Sequence, residues 1–394
     1  MAHSRRVARR PALPAVLVAA MTLSLAACGP DEQVTEAVTD SSTPIATASS
    51  GGGGESGSAP ATIESAAPVV GTVWVANEDG DSLTAIDAAT GDVVATIDGI
   101  DGPHNVQVGP DGNTIWAVSG HASALVAVDA RTSELLGTAP TGPSPAHVIV
   151  SPDGSNVYVT NAGDDSLSVF DAAALEPKAT LSLSAGPHGL RPTPDGAFVV
   201  VANTTAGAVD IVDTASNTVA ASVPVGDSPA QVAVDAEGRY AYASLNGSSE
   251  VVKIDLEQRK AVGTVAVPSP PVQLYLTADG SRLLSADQGT EDAPGRTVSI
   301  IDPASLAVEA SVETGAGPHG IVIEPTGQRA WVTNLYDDTV SAIDLTTGKV
   351  VATVPVGDKP NGVSYSAAPP TEGLKSTSIT VPEYGGGGGD HAEH

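Results

Sequence analysis

Only one cysteine, Cys28, occurs in 394 residues. No internal disulfide can form, and the folded part has no cysteine nucleophile and no thiolate metal ligand. Stability must therefore come from packing. Basic residues are scarce too, 17 against 46 acidic, for a formal charge of −29. Removing residues 1–27 takes away four arginines and no acid, leaving 13 basic residues and a charge of −33. Such a surface repels phosphate backbones and offers no basic stripe, which argues against nucleic acid as the main partner. It suits cations, metal ions or basic partners, although simple solubility accounts for most of the acids. The sequence has no Gly-x-Ser-x-Gly elbow, no His-Glu-x-x-His, no phosphate loop and no Cys-x-x-Cys-His. No catalytic residue and no organic cofactor are assigned.

Apolar runs are short as well. The run from Ala15 to Ala27 follows Arg5, Arg6, Arg9 and Arg10 and ends in Leu25-Ala26-Ala27-Cys28. It is too short to span a bilayer comfortably. A basic start, a short apolar stretch and small residues before a cut form a secretory signal over residues 1–27. Leu-Ala-Ala-Cys resembles the lipobox of bacterial lipoproteins, which implies lipidation at Cys28 and an extracytoplasmic chain anchored to the bacterial cell membrane. Residues 28–68 are Gly/Ser-rich and cannot bury enough apolar surface to fold. As a flexible tether of about 40 residues they would hold the next domain roughly 35 Å from its anchor.

What is present beyond the tether is repetition. A proline precedes each segment of the type "HNVQV", at Pro103, Pro145, Pro187, Pro229, Pro271, Pro318 and Pro360. An aspartate closes each segment of the type "LTAID", at Asp87, Asp129, Asp171, Asp213, Asp255, Asp302 and Asp344. Both series step by 42 residues except for a single step of 47, and a third series, Trp74, Trp116, Tyr158, Val200, Tyr242, Leu284 and Trp331, keeps the same register. Each unit contains four short alternating runs separated by Pro-Asp-Gly and Asp-Gly turns, which predicts four strands per unit. Seven such units predict an all-β, seven-bladed propeller of four-stranded blades over residues 69–366. Let the strands of a unit be A to D, with A the "HNVQV" run. The first unit lacks an A strand and the last A strand, near Asn361 to Tyr365, has no B, so the C-terminal strand is expected to close the ring. Residues 367–394 are expected to be a largely disordered tail.

The units lack the Gly-His and Trp-Asp marks of WD40 repeats. Tyr158-Val159-Thr160-Asn161, the variants Val75-Ala76-Asn77 and Val332-Thr333-Asn334, and Gly-Pro-His-Gly at Gly186–Gly189 and Gly317–Gly320 resemble the YVTN-repeat, YncE-like propeller family. The resemblance covers all seven units and implies an extracytoplasmic propeller. Its relatives include secreted surface-layer-type proteins and, more distantly, the propeller of haem d1 enzymes, so no common chemistry follows. The once-per-unit aspartates and the asparagine of the tetrapeptide are expected to be turn residues.

Strand direction places the D–A connections and B–C loops on one face and the monotonous Pro-Asp-Gly turns on the other. The variable face carries a five-residue insertion around Glu291–Gly295 and the acidic loops Asp79/Asp81, Asp164/Asp165 and Asp337/Asp338. It also carries His104, His147, His188 and His319, beside the marker prolines, and His121 in a B–C loop. Innermost strands begin at the mouth of the central channel, so these histidines are candidates to ring it. Two alternatives stand: turn or inter-blade residues, or zinc or copper ligands. The tail Asp390-His391-Ala392-Glu393-His394 offers a second metal candidate in His391 and His394, or a plain terminus. The expected function is a non-enzymatic, monomeric binding or scaffold lipoprotein that recognises a protein, glycan or small ligand through its variable face. The alternative is a zinc or copper binding protein or metallochaperone; a lactonase-like or haem d1-like redox enzyme has least support.

Overall fold

The computed structural model describes residues 69–385. The signal segment, Cys28, the tether through residue 68, and His391 and His394 lie outside the described residues. Seven antiparallel sheets form the ring, with almost no helix. Blade 4 shows the pattern: Pro187–Pro192, Phe198–Asn203, Ala208–Asp213 and Thr218–Pro224 run from the innermost strand A to the outermost strand D. Strand A Pro360–Ser366 pairs with Thr72–Asn77, so blade 1 is completed by the C-terminal part of the chain, as expected. Closure of this kind pairs the inner edge of Thr72–Asn77, which would otherwise be left open.

Burial explains the repeat. The B strand Thr72–Asn77 is buried at every position, because each blade packs on both faces against its neighbours. The marker residues Trp74 and Trp331 are fully buried, and Trp116 joins Val118, Val148, Val157 and Phe170 in a cluster between blades 2 and 3. The D strands face solvent, as in Lys260–Ala266. The once-per-blade aspartates are turn residues: Asp171 Oδ1 accepts the N–H groups of Ala173 and Ala174, and Asp129, Asp213, Asp255, Asp302 and Asp344 make similar bonds.

The tetrapeptide asparagine is not a turn residue. Asn161 ends strand B, fully buried, and its Nδ2 donates to Ser166 Oγ and Ser168 Oγ, both at 2.9 Å. Its Oδ1 accepts the N–H of Gly142, at 3.1 Å, from the D–A connection. Asn334 repeats the arrangement with Thr339, Ser341 and Gly315. The side chain ties two strands and a loop together because a short amide at a buried strand end reaches three polar groups that would otherwise lack partners. A Cβ added to Gly142 would lie 2.7 Å from Asn161 Cγ, so this loop position has room only for glycine.

The C-terminal segment also departs from expectation. Residues 367–385 are not a loose tail. Thr377–Ser378 adds a fifth, parallel strand to the outer edge strand Val93–Asp98, the Ile379 N–H donates to Asp98 O, and Leu374 is buried in the core of blades 1 and 2. Further along, the Tyr384 N–H donates to Ala122 O and its hydroxyl lies 2.8 Å from Thr138 Oγ1. Open backbone groups of an edge strand supply the driving force, which composition alone does not reveal. The insertion in blade 6 lengthens the B–C hairpin, Leu283–Thr290 and Ala293–Asp302.

Candidate metal centre at the channel mouth

Each strand A starts at the channel mouth, and the residue after the marker proline opens it. These positions hold His104, Ala146, His188, Ala230, Val272, His319 and Asn361. His147 stands one residue further along its strand, in the blade between those of His104 and His188. The three rings converge. His104 and His147 have centroids 5.4 Å apart, His104 and His188 5.2 Å, and His147 and His188 4.5 Å. One ring nitrogen from each lies within 4.8 Å of the others, and all three residues are buried. His319 stands beside the trio, 6.5 Å from His104 between centroids.

The second nitrogens determine the electrostatics. His188 Nδ1 lies 2.8 Å from the carbonyl of Ala230 and must donate to it, which leaves the Nε2 lone pair facing the channel. His104 Nδ1 is 2.9 Å from Glu78 Oε1, and Asn361 Nδ2 donates to Glu78 Oε2 at 2.7 Å. A carboxylate accepts, so His104 Nδ1 donates to Glu78, with Asn361 Nδ2 also 3.1 Å from that nitrogen, and His104 Nε2 faces inward. The two Nε2 atoms are 3.1 Å apart. Two lone pairs at that distance repel unless a proton or a cation lies between them. Two imidazoles on one tetrahedral metal, each at roughly 2.0–2.1 Å, would place their nitrogens roughly 3.3 Å apart. Orientation of the ring by a carboxylate or carbonyl on its other nitrogen is the usual support of a metal-binding histidine.

His147 completes the set. Gln231 Nε2 lies 3.4 Å from its Nδ1, while Nε2 is buried with no hydrogen-bond partner. Burial, followed by His188, His104 and Arg191, holds its pKa well below the usual histidine value, so the ring is neutral at physiological pH. Neutral imidazole is the form that ligates metals.

The other candidates do not join this centre. The Asp81, Asp165 and Asp338 carboxylates accept the N–H groups of Gly102, Gly186 and Lys359, fixing the D–A loops. Asp337 accepts the Ala316 N–H, Asp164 accepts from Ser166 Oγ, and Asp79 pairs with Lys359 at 3.5 Å. His121 is an exposed residue whose pKa is raised by its 2.8 Å hydrogen bond to Asp101. Glu78, Asn361 and Gln231 belong to the centre and were not candidates from sequence. Glu78 follows the B-strand asparagine directly, a position that points to the channel mouth once the blade geometry is known.

The family model of the YNCE-like beta-propeller matches residues 122–370. The chain belongs to that family. Solved structures similar to this YNCE-like propeller include hydrazine synthase from Kuenenia stuttgartiensis, at 24% identity and a TM-score of 0.62, covering 68% of this chain and 90% of that one. A functionally unknown protein from Desulfotomaculum acetoxidans matches at 13% identity and a TM-score of 0.66, covering 76% and 99%. Dihydro-heme d1 dehydrogenase NirN, in complex with DHE, matches at 16% identity and a TM-score of 0.59, covering 78% of each chain. At these identities the likeness is one of fold. No curated protein matches the chain.

Proposed function

We propose that this YNCE-like propeller is an extracytoplasmic, lipid-anchored metal-binding protein that holds a zinc or copper ion at its channel mouth through His104, His147 and His188. One observation carries the metal reading: the two inward-facing Nε2 atoms of His104 and His188, 3.1 Å apart, each with its Nδ1 engaged elsewhere. Three imidazoles suit zinc or copper and leave a coordination position for water or a transferred ligand. Glu78 orients His104 and offsets positive charge beside the ion. The anchor rests on Leu25-Ala26-Ala27-Cys28 and the Gly/Ser-rich tether that follows. The strongly acidic surface favours approach of a cation.

Calorimetric titration of the purified protein with zinc and copper salts tests the proposal. Stoichiometric binding to the wild type that disappears in the His104→Ala/His188→Ala variant supports it. Equal binding by both proteins, or none by either, overturns it; in the second case a shared proton bridges the two nitrogens and the cluster is structural.

A further inference from the structure

The same seven strands line a second level of the channel, toward the Pro-Asp-Gly face. Four residues after each marker proline stand Gln107, Ile149, Arg191, Ala233, Tyr275, Val322 and Ser364. All but Ala233 border a cavity of about 330 Å³ at this end, together with Ile323, Val363 and turn prolines such as Pro194 and Pro325. No acidic residue lines it, although the chain has 46. Arg191 is the one cation among these lining residues, partly exposed to the cavity.

Among the described residues, no hydrogen bond or ion pair engages the Arg191 guanidinium; the Tyr275 ring lies 5.9 Å from it, and its charge also acts on His147. A guanidinium removed from bulk water without a carboxylate is costly, and burial works against its charge here. Its planar fork of donors matches a carboxylate in a bidentate pair. Val322, Ile323 and Val363 across the ring, with Ile149 on the neighbouring blade, make an apolar wall that would accept a hydrocarbon body. The volume falls in the range of small-molecule sites.

We infer that this lower mouth is a binding site for a small organic monocarboxylate, with its carboxylate on the Arg191 guanidinium and its apolar body against Tyr275 and the aliphatic wall. The site is separate from the histidine cluster: Arg191 lies three residues beyond His188 on one strand, roughly 10 Å along it. It stands whether or not a metal binds above.

The test uses benzoate, acetate and inorganic phosphate as probes, each titrated calorimetrically into wild type and Arg191→Met. Benzoate should bind the wild type more tightly than acetate or phosphate, and its affinity should fall more than about tenfold in Arg191→Met. Absence of benzoate binding, equal binding by the variant, or phosphate binding as tightly as benzoate would each overturn the assignment. Should Arg191→Met fail to fold, crystals of the wild type soaked in benzoate decide the matter. Density for the carboxylate within hydrogen-bond distance of Arg191 supports the site, and density elsewhere or none removes it.

Discussion

The blade frame and the channel mouth are built from the ends of the same strands, yet they distribute their polar residues differently. An aspartate closes strand C in all seven blades, and in blades such as the third its carboxylate caps the following turn. Histidine follows the marker proline in only three blades, while alanine or valine stands there in three others. Blades 3 and 5 start strand A with Ala146 and Ala230 and fold to the same register. A residue that the blade geometry requires recurs with the blade. One that recurs unevenly, and whose members nevertheless converge in space, is not explained by the blade.

This contrast can be broken most decisively at the mouth. The His104→Ala/His188→Ala variant should lose at least about a thousandfold in zinc affinity, since two of three ligands go. Its metal-free unfolding free energy should fall by no more than about 3 kcal/mol, the scale of the two hydrogen bonds lost, to Ala230 and to the Glu78 carboxylate. A large loss of metal-free stability would put the histidines back in the blade frame. The opposite pattern is expected at Asn161. Asn161→Ala removes two donated bonds and the acceptor for Gly142, costing about 2–4 kcal/mol in denaturant unfolding with unchanged zinc affinity.

How much of this was legible in the sequence follows from the same division. The 42-residue period, the strand count and the closing role of Pro360–Ser366 could be read because each blade repeats its solution to one packing problem. The channel-mouth histidines were visible as candidates through the marker prolines. Their convergence was not: His104 and His188 are 84 residues apart, and His147 is offset by one position from its counterparts. Only the ring brings them together. Glu78 was hidden beside Asp79 and Asp81, which draw attention as an acidic loop but make internal bonds. Arg191 sits in a strand that reads as core, and its neighbours around the channel come from six other blades. The tail anchors, Leu374 and Thr377–Ser378, are too few to stand out from the Gly/Pro/Ser background.

A milder change sharpens the boundary between orienting a ligand and building a blade. Glu78 reaches the histidine cluster through His104 Nδ1 and Asn361. Glu78→Gln should lower zinc affinity by about 10- to 100-fold, the usual cost of losing such a support. Metal-free unfolding should be nearly unchanged, because the amide can still accept one hydrogen bond. If affinity does not move, the carboxylate is not orienting a ligand.

The smallest effect expected lies inside the frame, at its one acidic exception. In blade 6 the position of the tetrapeptide asparagine is Asp287, fully buried, accepting from Ser285 Oγ at 2.9 Å and Ser299 Oγ at 2.6 Å. Burial outweighs these bonds and pushes its pKa from an ordinary 3.8 up to about 6. The folded state therefore holds the proton more tightly than the unfolded chain. Its contribution to stability is complete below about pH 3.8 and is lost as the pH rises to about 6. The shift bounds that loss at about 3 kcal/mol. Asp287→Asn restores the amide that Asn161 uses between two hydroxyls, and should stabilise the propeller by about 1–2 kcal/mol above pH 6. The gain should vanish near pH 4. Chemical denaturation of both proteins from pH 4 to pH 8 measures it, and a stabilisation independent of pH would show that geometry, not the buried charge, distinguishes blade 6 from its neighbours.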